Sequence, residues 1–119
     1  MEPVKLFDSE LKIMEILWEN EPISAKELSL LAADRIRWNK NTTYTVITKL
    51  VEKSYIMRQE PNFICSSRIK KEDLQISETR NLIDRLYNGS KRAFFASFLN
   101  EGSLTTEELD EIRNMIKKR

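Results

Sequence analysis

The period of the hydrophobic pattern changes once, near Lys53, and this change constrains the fold more than any other feature of the sequence. Before it, apolar residues recur every three or four positions, which is the spacing of a single helix face. The spacing predicts a first helix over 9–19, a second from Ala25 and a third over 40–53. The chain is therefore expected to begin with three short helices.

Beyond this change, the sequence has the pattern of two short β-strands. Residues 55–59 and 63–66 flank a Glu-Pro-Asn turn at 60–62, an arrangement typical of a hairpin. Three helices followed by a hairpin is the element order of a winged helix-turn-helix. We predict a mainly α fold with a winged helix-turn-helix DNA-binding domain over 1–70, and we expect Met14 and Met57 in its core.

Capping residues predict where these helices begin. Asp8 or Ser9 is available as the N-cap of the first helix. Ser24 and Glu27 have the spacing of a capping box, in which each side chain bonds the other residue's amide. Asn39 is the predicted N-cap of the third helix.

Helical periodicity returns after residue 70 and predicts three further helices. The first of these ends at Asn88 and Gly89, a pair typical of a helix C-cap. The last begins at a second capping box, formed by Thr105 and Glu108.

The segment 71–119 is too short to enclose a core of its own, yet it carries a large apolar face. That face consists of Leu82, Ile83, Leu86, Phe94, Phe95, Phe98, Leu109, Ile112 and Ile116. We predict that a second copy of the chain covers it, which makes 71–119 a C-terminal helical dimerisation region of a homodimer. The alternative is that 71–119 packs back on the first domain.

Missing residue types exclude most catalytic and metal sites. The sequence has no histidine, the commonest general base and metal ligand. A single cysteine, Cys65, excludes an intrachain disulfide and a thiolate metal cage, and two glycines are too few for a Gly-rich phosphate loop. We predict no enzymatic activity, no catalytic residue, no metal and no cofactor.

The sequence also predicts where the protein resides. No apolar run is long enough for a secretory signal or a membrane span. Together with the lone cysteine, this pattern predicts a cytoplasmic protein without membrane insertion.

Charge is distributed unevenly along the chain. Residues 35–71 hold nine Lys or Arg against two acids, a net of +7, whereas 1–34 and 72–119 have net charges of −5 and −1. A basic segment of this kind attracts phosphates. A solvated basic surface without a partner is the alternative.

The outward face predicted for the third helix has an unusual composition. The residues opposite the apolar positions are Asn41, Thr45, Thr48 and Glu52, and those that flank them are Thr42, Tyr44 and Lys49. Thr and Asn form helices poorly compared with Glu, Lys and Ala, so helix stability does not explain them. Their short side chains instead suit hydrogen bonding to a partner.

The second helix of a helix-turn-helix lies in the major groove of DNA, where its side chains reach base edges and flanking cations reach phosphates. The predicted DNA contacts are Lys40, Asn41, Thr42, Tyr44, Thr45, Thr48, Lys49, Lys53 and Arg58. A polar solvent face is the alternative for the threonines. The alternative for Tyr44 is that it packs against a neighbouring helix. Trp38 is expected to be a packing residue, and the alternative is that its indole N–H donates to a phosphate.

Four segments carry a family resemblance: ELKIMEILW at 10–18, ISAKEL at 23–28, NTTYTVITKL at 41–50 and LTTEELDEI at 104–112. In this order and without a gap, they resemble the penicillinase and methicillin-resistance repressor family, the BlaI/MecI type. The resemblance covers nearly the whole chain.

The resemblance implies a homodimeric winged-helix transcriptional repressor that binds a palindromic operator and controls antibiotic-resistance genes. It implies base contacts by Thr42, Thr45 and Thr48 and a phosphate contact by Lys49. It further implies that a membrane-bound sensor protease system relieves repression through cleavage in the dimerisation region. The family is usually cleaved at an Asn-Phe bond, and Ser97–Phe98 occupies the matching position here.

A winged-helix module that binds proteins, without sequence-specific DNA binding, is the alternative function. The confinement of basic charge to 35–71 favours DNA.

Overall fold

Six α-helices and three short β-strands form among residues 5–119, the part of the chain that this computed structural model describes. Their bounds in chain order are α1 (Asp8–Asn20), β1 (Ile23–Ser24), α2 (Ala25–Ile36), α3 (Lys40–Glu52), β2 (Ile56–Gln59), β3 (Ile64–Ser67), α4 (Lys71–Leu86), α5 (Lys91–Asn100) and α6 (Thr106–Lys117). The predicted bounds of α1, α3 and the two hairpin strands differ from these by one residue at most.

The described residues form two compact units, whose boundary lies between Glu78 and Thr79. The first unit contains α1–α3 and the strands, and the second contains α5 and α6. Since the boundary falls inside α4, that helix contributes residues to both units. The boundary predicted between residues 70 and 71 coincides with the start of α4.

Two of the predicted caps form in the first unit. The Asn39 side-chain oxygen accepts a hydrogen bond from the Thr42 amide at 2.8 Å, and the Ser24 hydroxyl accepts from the Glu27 amide at 3.1 Å. Each bond satisfies an amide that has no partner within its helix. These local bonds set the starts of α3 and α2.

The cap of α1 differs from the prediction, because neither Asp8 nor Ser9 is the N-cap. Phe7 occupies that position, and its amide donates to the Glu10 carboxylate at 2.9 Å. Glu10 thus makes one of the two bonds of a capping box, the bond from the N-cap amide to the carboxylate three residues later.

The three strands form one antiparallel sheet in the order β1-β3-β2. Cys65 on the central strand pairs with Ile23 on one side and Arg58 on the other. The sequence did not reveal β1, since two residues are too few to show a period. Met57 was expected in the core and is 37% exposed, because β2 is an outer strand that buries only Ile56.

The core of the first unit lies between the three helices and the sheet. Its fully buried apolar side chains are Ile13, Met14, Leu17, Ala25, Leu28, Ala32, Ile47, Leu50, Ile56 and Cys65. Trp18 and Trp38 pack against this cluster, and the Trp18 indole donates to the Ile69 carbonyl at 3.0 Å. The inner face of α3 is therefore held firmly, which determines the face that α3 turns outward.

The second unit exposes much of its apolar surface. Phe95 is 60% exposed and Ile116 is 68% exposed, and no residue of α5 or α6 is buried. Ile83 is an exception among the predicted dimer contacts, because it is already buried in the single chain. The Thr105 capping box forms with both of its hydrogen bonds.

Among residues 5–119, no helix is both long enough and apolar enough to cross a membrane.

Candidate nucleic-acid interface

Helix α3 has one face in the core and the opposite face at the surface. Thr43, Val46, Ile47 and Leu50 are buried. The predicted outward residues Lys40, Asn41, Thr42, Thr45, Thr48 and Lys49 are all exposed. The exposed set alternates with the buried set at helical spacing, so the polar residues form one continuous surface.

Not all threonines of α3 lie on this exposed surface. The buried Thr43 donates its hydroxyl to the Asn39 carbonyl at 3.2 Å. Thr45 donates its hydroxyl to the Asn41 carbonyl at 2.9 Å and remains exposed. Its hydroxyl oxygen still has lone pairs with which to accept a bond from a partner.

A shallow depression runs along the exposed face of α3. Its lining consists of Asn41, Tyr44, Thr45, Thr48, Lys49 and Glu52. Lys40 and Lys49 are exposed cations on this helix, and neither forms an ion pair with another described residue. The face therefore offers hydrogen-bonding groups in its middle and free positive charge beside them.

Tyr44 joins α3 to the wing, the segment 56–67 that contains β2, β3 and their turn. Its ring packs edge-on against Phe63, with 6.3 Å between ring centroids. Lys40 places its ammonium 5.8 Å from the Tyr44 ring centroid. Tyr44 is half-buried, and its ring contact is with the wing, whereas the alternative was packing against a neighbouring helix.

Arg58 is bound within the wing. Its guanidinium lies 3.7 Å from the Phe63 ring centroid and pairs with Glu60, at 3.0 Å between Nη2 and Oε1. The Arg58 hydrogen bond holds the pKa of the Glu60 carboxyl below its usual range. Because the guanidinium has five N–H donors, pairing with one carboxylate leaves donors for a phosphate.

Lys53, which was predicted among the DNA contacts, forms an ion pair with a buried carboxylate. Its ammonium lies 2.7 and 2.8 Å from the two oxygens of Glu10. Reasoning from the sequence overlooked Glu10. A signal was present, because Glu10 precedes Ile13 and Met14 by three and four residues and so lies on the apolar face of α1.

The predicted cleavage position lies on α5. Ser97 and Phe98 are both exposed, and the Ser97 hydroxyl accepts a hydrogen bond from the Tyr87 hydroxyl at 3.1 Å. The rings of Tyr87, Phe94, Phe95 and Phe98 make edge contacts, with centroids 5.3–5.5 Å apart. The peptide bond between Ser97 and Phe98 is thus part of a regular helix beside an aromatic cluster.

No cluster of potential ligand residues able to hold a metal ion occurs among residues 5–119. Cys65 is fully buried on β3, and burial raises the pKa of its thiol from 9.0 to about 11. A thiol in this setting is a poor nucleophile, because the thiolate is the reactive form.

Known proteins resemble this chain over nearly its whole length. The methicillin resistance regulatory protein MecI of Staphylococcus aureus strain N315 is 26% identical over 117 residues, which cover 97% of this chain and 95% of MecI. The penicillinase repressor of Bacillus licheniformis is 22% identical over 116 residues, covering 96% and 91% of the two chains.

Solved structures share the fold of this chain over 60% of its length. The DNA binding domain of the repressor BlaI, solved in solution, superposes with a TM-score of 0.55 at 20% identity, covering 60% of this chain and 90% of that domain. The monomeric form of Bacillus licheniformis BlaI, in complex with the blaP half-operator, superposes with a TM-score of 0.52. This likeness confirms the predicted winged helix-turn-helix.

The family model described as Penicillinase repressor matches residues 6–118. This match includes all four segments whose resemblance was noted in the sequence. The chain belongs to the penicillinase repressor family.

Proposed function

We propose that the chain is a homodimeric transcriptional repressor that inserts α3 into the major groove of a palindromic operator. The exposed polar face of α3, backed by a fully packed inner face, is the observation that carries this proposal. A helix held in this way presents its side chains at fixed positions, which recognition of base edges requires. The complex of BlaI with the blaP half-operator supports DNA as the partner.

The exposed side chains divide by chemistry into two kinds of contact. Asn41, Thr42, Thr45 and Thr48 reach base edges, and Lys40, Lys49 and Arg58 reach phosphates. Tyr44 supports the wing and offers one edge to the DNA. We leave Lys53 out of the phosphate contacts and assign its ammonium to the ion pair with Glu10.

The second unit supplies the dimer contact in this proposal. Its exposed apolar side chains are Leu86, Phe95, Phe98, Leu99, Met115 and Ile116, and Leu82, Phe94, Leu109 and Ile112 are half-buried. Pairing two such faces removes them from water and places two copies of α3 on one DNA. The two half-sites then bind as one event at high effective concentration.

Relief of repression follows from the same arrangement. Cleavage between Ser97 and Phe98 by a sensor protease system removes α6 and part of α5, which leaves the dimer face incomplete. The names of the relatives, methicillin resistance regulatory protein and penicillinase repressor, support antibiotic-resistance genes as the targets. Repression of this kind takes place in the cytoplasm.

Selection of bound duplexes from random DNA tests the function directly. We expect the full chain to enrich two inverted half-sites at a fixed spacing. With about six cations per dimer on phosphates, the slope of log K against log salt is about −5. Failure to enrich any sequence, with a slope near zero, would refute DNA recognition and favour a protein-binding module.

A further inference from the structure

An ion pair between Glu10 and Lys53 joins the first turn of α1 to the end of α3. The Lys53 ammonium lies 2.8 Å from Oε1 and 2.7 Å from Oε2 of Glu10. Glu10 is only 2% exposed, although it is charged. A buried carboxylate without a partner is very costly, so the ammonium that neutralises it is strongly held.

Two further contacts fix the geometry of this pair. Oε1 of Glu10 also accepts a hydrogen bond from the Phe7 amide at 2.9 Å. The Lys53 ammonium lies 4.7 Å from the centroid of the Phe7 ring, within the range of a cation–π contact. Lys53 is also the C-cap residue of α3. One ammonium therefore ties the end of α3 to the start of α1 through two groups, the Glu10 carboxylate and the Phe7 ring.

Lys49 provides the contrast on the same helix. Both lysines are exposed as whole residues, but Lys49 lies one turn earlier and lines the depression with Thr45 and Thr48. Lys53 does not line that depression. The two lysines thus have the same charge and different surroundings.

We propose that Lys53 is a positioning residue, whose pair with Glu10 sets the orientation in which α3 presents its polar face to DNA. This inference rests on the proposed function. A phosphate contact adds the same affinity on every sequence and contributes to the salt dependence. An orienting contact instead affects only the affinity for the recognised sequence. It does not change the number of counterions released from the DNA, so the salt dependence stays the same.

The test compares Lys53→Met with the matched control Lys49→Met in the full chain. The probes are a duplex selected from random DNA by the wild-type protein and a scrambled duplex of the same length. Affinity is measured over a range of salt concentrations, at a temperature where circular dichroism shows each variant folded.

We expect Lys53→Met to lower affinity for the selected duplex about tenfold, comparable to one mismatched base pair. Its affinity for the scrambled duplex and its salt slope stay at the wild-type values. Lys49→Met lowers affinity for both duplexes and reduces the slope by about 0.9 for each protomer bound.

The double variant Glu10→Gln with Lys53→Met separates positioning from stability. It buries no unpaired charge, so its unfolding midpoint lies above that of Lys53→Met. We expect its affinity for the selected duplex to stay about tenfold low, because the tie between α1 and α3 is still missing. Should Lys53→Met alone not fold, this variant takes its place in the comparison.

Three results are decisive against the inference. A reduced salt slope for Lys53→Met, equal to that of Lys49→Met, makes Lys53 a phosphate contact. Recovery of affinity in the double variant, in step with its stability, makes the pair merely structural. Failure of the wild-type protein to select any duplex overturns the proposed function itself, and the positioning role with it.

Discussion

The threonines of α3 show how one residue type takes two roles on a single helix. Thr43 is buried and satisfied by the Asn39 carbonyl, whereas Thr42, Thr45 and Thr48 are exposed. Composition alone shows only that this helix is rich in threonine. The helical period then assigns each residue to a face, because successive positions differ by about 100°.

Thr48→Val tests a base contact at the residue scale. The substitution keeps the shape of the side chain and removes the hydroxyl, so we expect the operator complex to weaken by about 1 kcal/mol. Folding stability should change little at this exposed site. Quantitative mobility shifts measure the affinity, and Thr43→Val is the matched control for the buried face. Equal affinity for Thr48→Val and wild type would exclude a base contact through this hydroxyl.

Cys65 gives a prediction about pH and reactivity. Burial raises the pKa of its thiol to about 11, so folding favours the protonated form. The stability associated with this group is present below pH 9.0 and is lost as pH rises toward about 11. We expect the native protein to resist a thiol reagent at about pH 8 and the denatured chain to react fully. Rapid labelling of the native protein would contradict this burial.

At the scale of elements, the starts of helices follow from short-range chemistry. Asn39 and the Ser24 hydroxyl cap their helices as predicted, because each bond joins residues only three positions apart. The reciprocal bond of the predicted box, from the Ser24 amide to the Glu27 carboxylate, does not form among residues 5–119.

The start of α1 differs because the Glu10 carboxylate accepts from the Phe7 amide, which makes Phe7 the N-cap. The same carboxylate also binds Lys53, which is 43 residues away. Local capping rules do not include such a partner.

Asn39→Ala tests the cap that begins the recognition helix. Loss of the bond to the Thr42 amide is expected to destabilise the protein by about 1 kcal/mol. Asn39→Asp keeps an acceptor and should retain most of that stability. Chemical denaturation followed by circular dichroism measures both variants. Equal unfolding midpoints for Asn39→Ala and wild type would show that the bond contributes nothing.

The wing illustrates an element whose position depends on side chains outside it. Its strands were predicted, yet the contact of Phe63 with Tyr44 on α3 was not. The same ring supports the Arg58 guanidinium. The period-two pattern of a strand indicates which side chains share a face, and it carries no information about which helix lies against them.

At the scale of the whole molecule, family membership confirms the predicted resemblance and the expectation that the chain is not an enzyme. The dimer remains a proposal, supported by the exposed apolar face of the second unit. Single exposed apolar residues are common on protein surfaces, whereas several on one face are typical of an interaction site.

Phe95→Glu tests the dimer. A charge placed on the apolar face should shift the protein from dimer to monomer and weaken operator binding by orders of magnitude, because the second half-site loses its effective concentration. Analytical ultracentrifugation and mobility shifts measure the two effects. Leu30→Glu is the matched control, since Leu30 is also exposed but lies on α2. A Phe95→Glu variant that is still dimeric would place the interface elsewhere.

Truncation after Ser97 tests the arrangement on a larger scale. We expect the shortened chain to keep a folded first unit and to lose tight operator binding, because the predicted dimer face is incomplete. Circular dichroism reports the fold, and mobility shifts report the affinity. Unchanged operator affinity would show that the second unit is dispensable.

The sequence by itself determined the helices, the hairpin, most caps and the outward face of α3. Each of these depends on residues within about four positions of one another, where hydrogen bonds and hydrophobic period act directly. The tertiary structure alone decided the partner of Lys53, the strand β1, the exposure of Met57 and the burial of Ile83. These features depend on which distant segments meet, and that is decided only when the chain packs around its core.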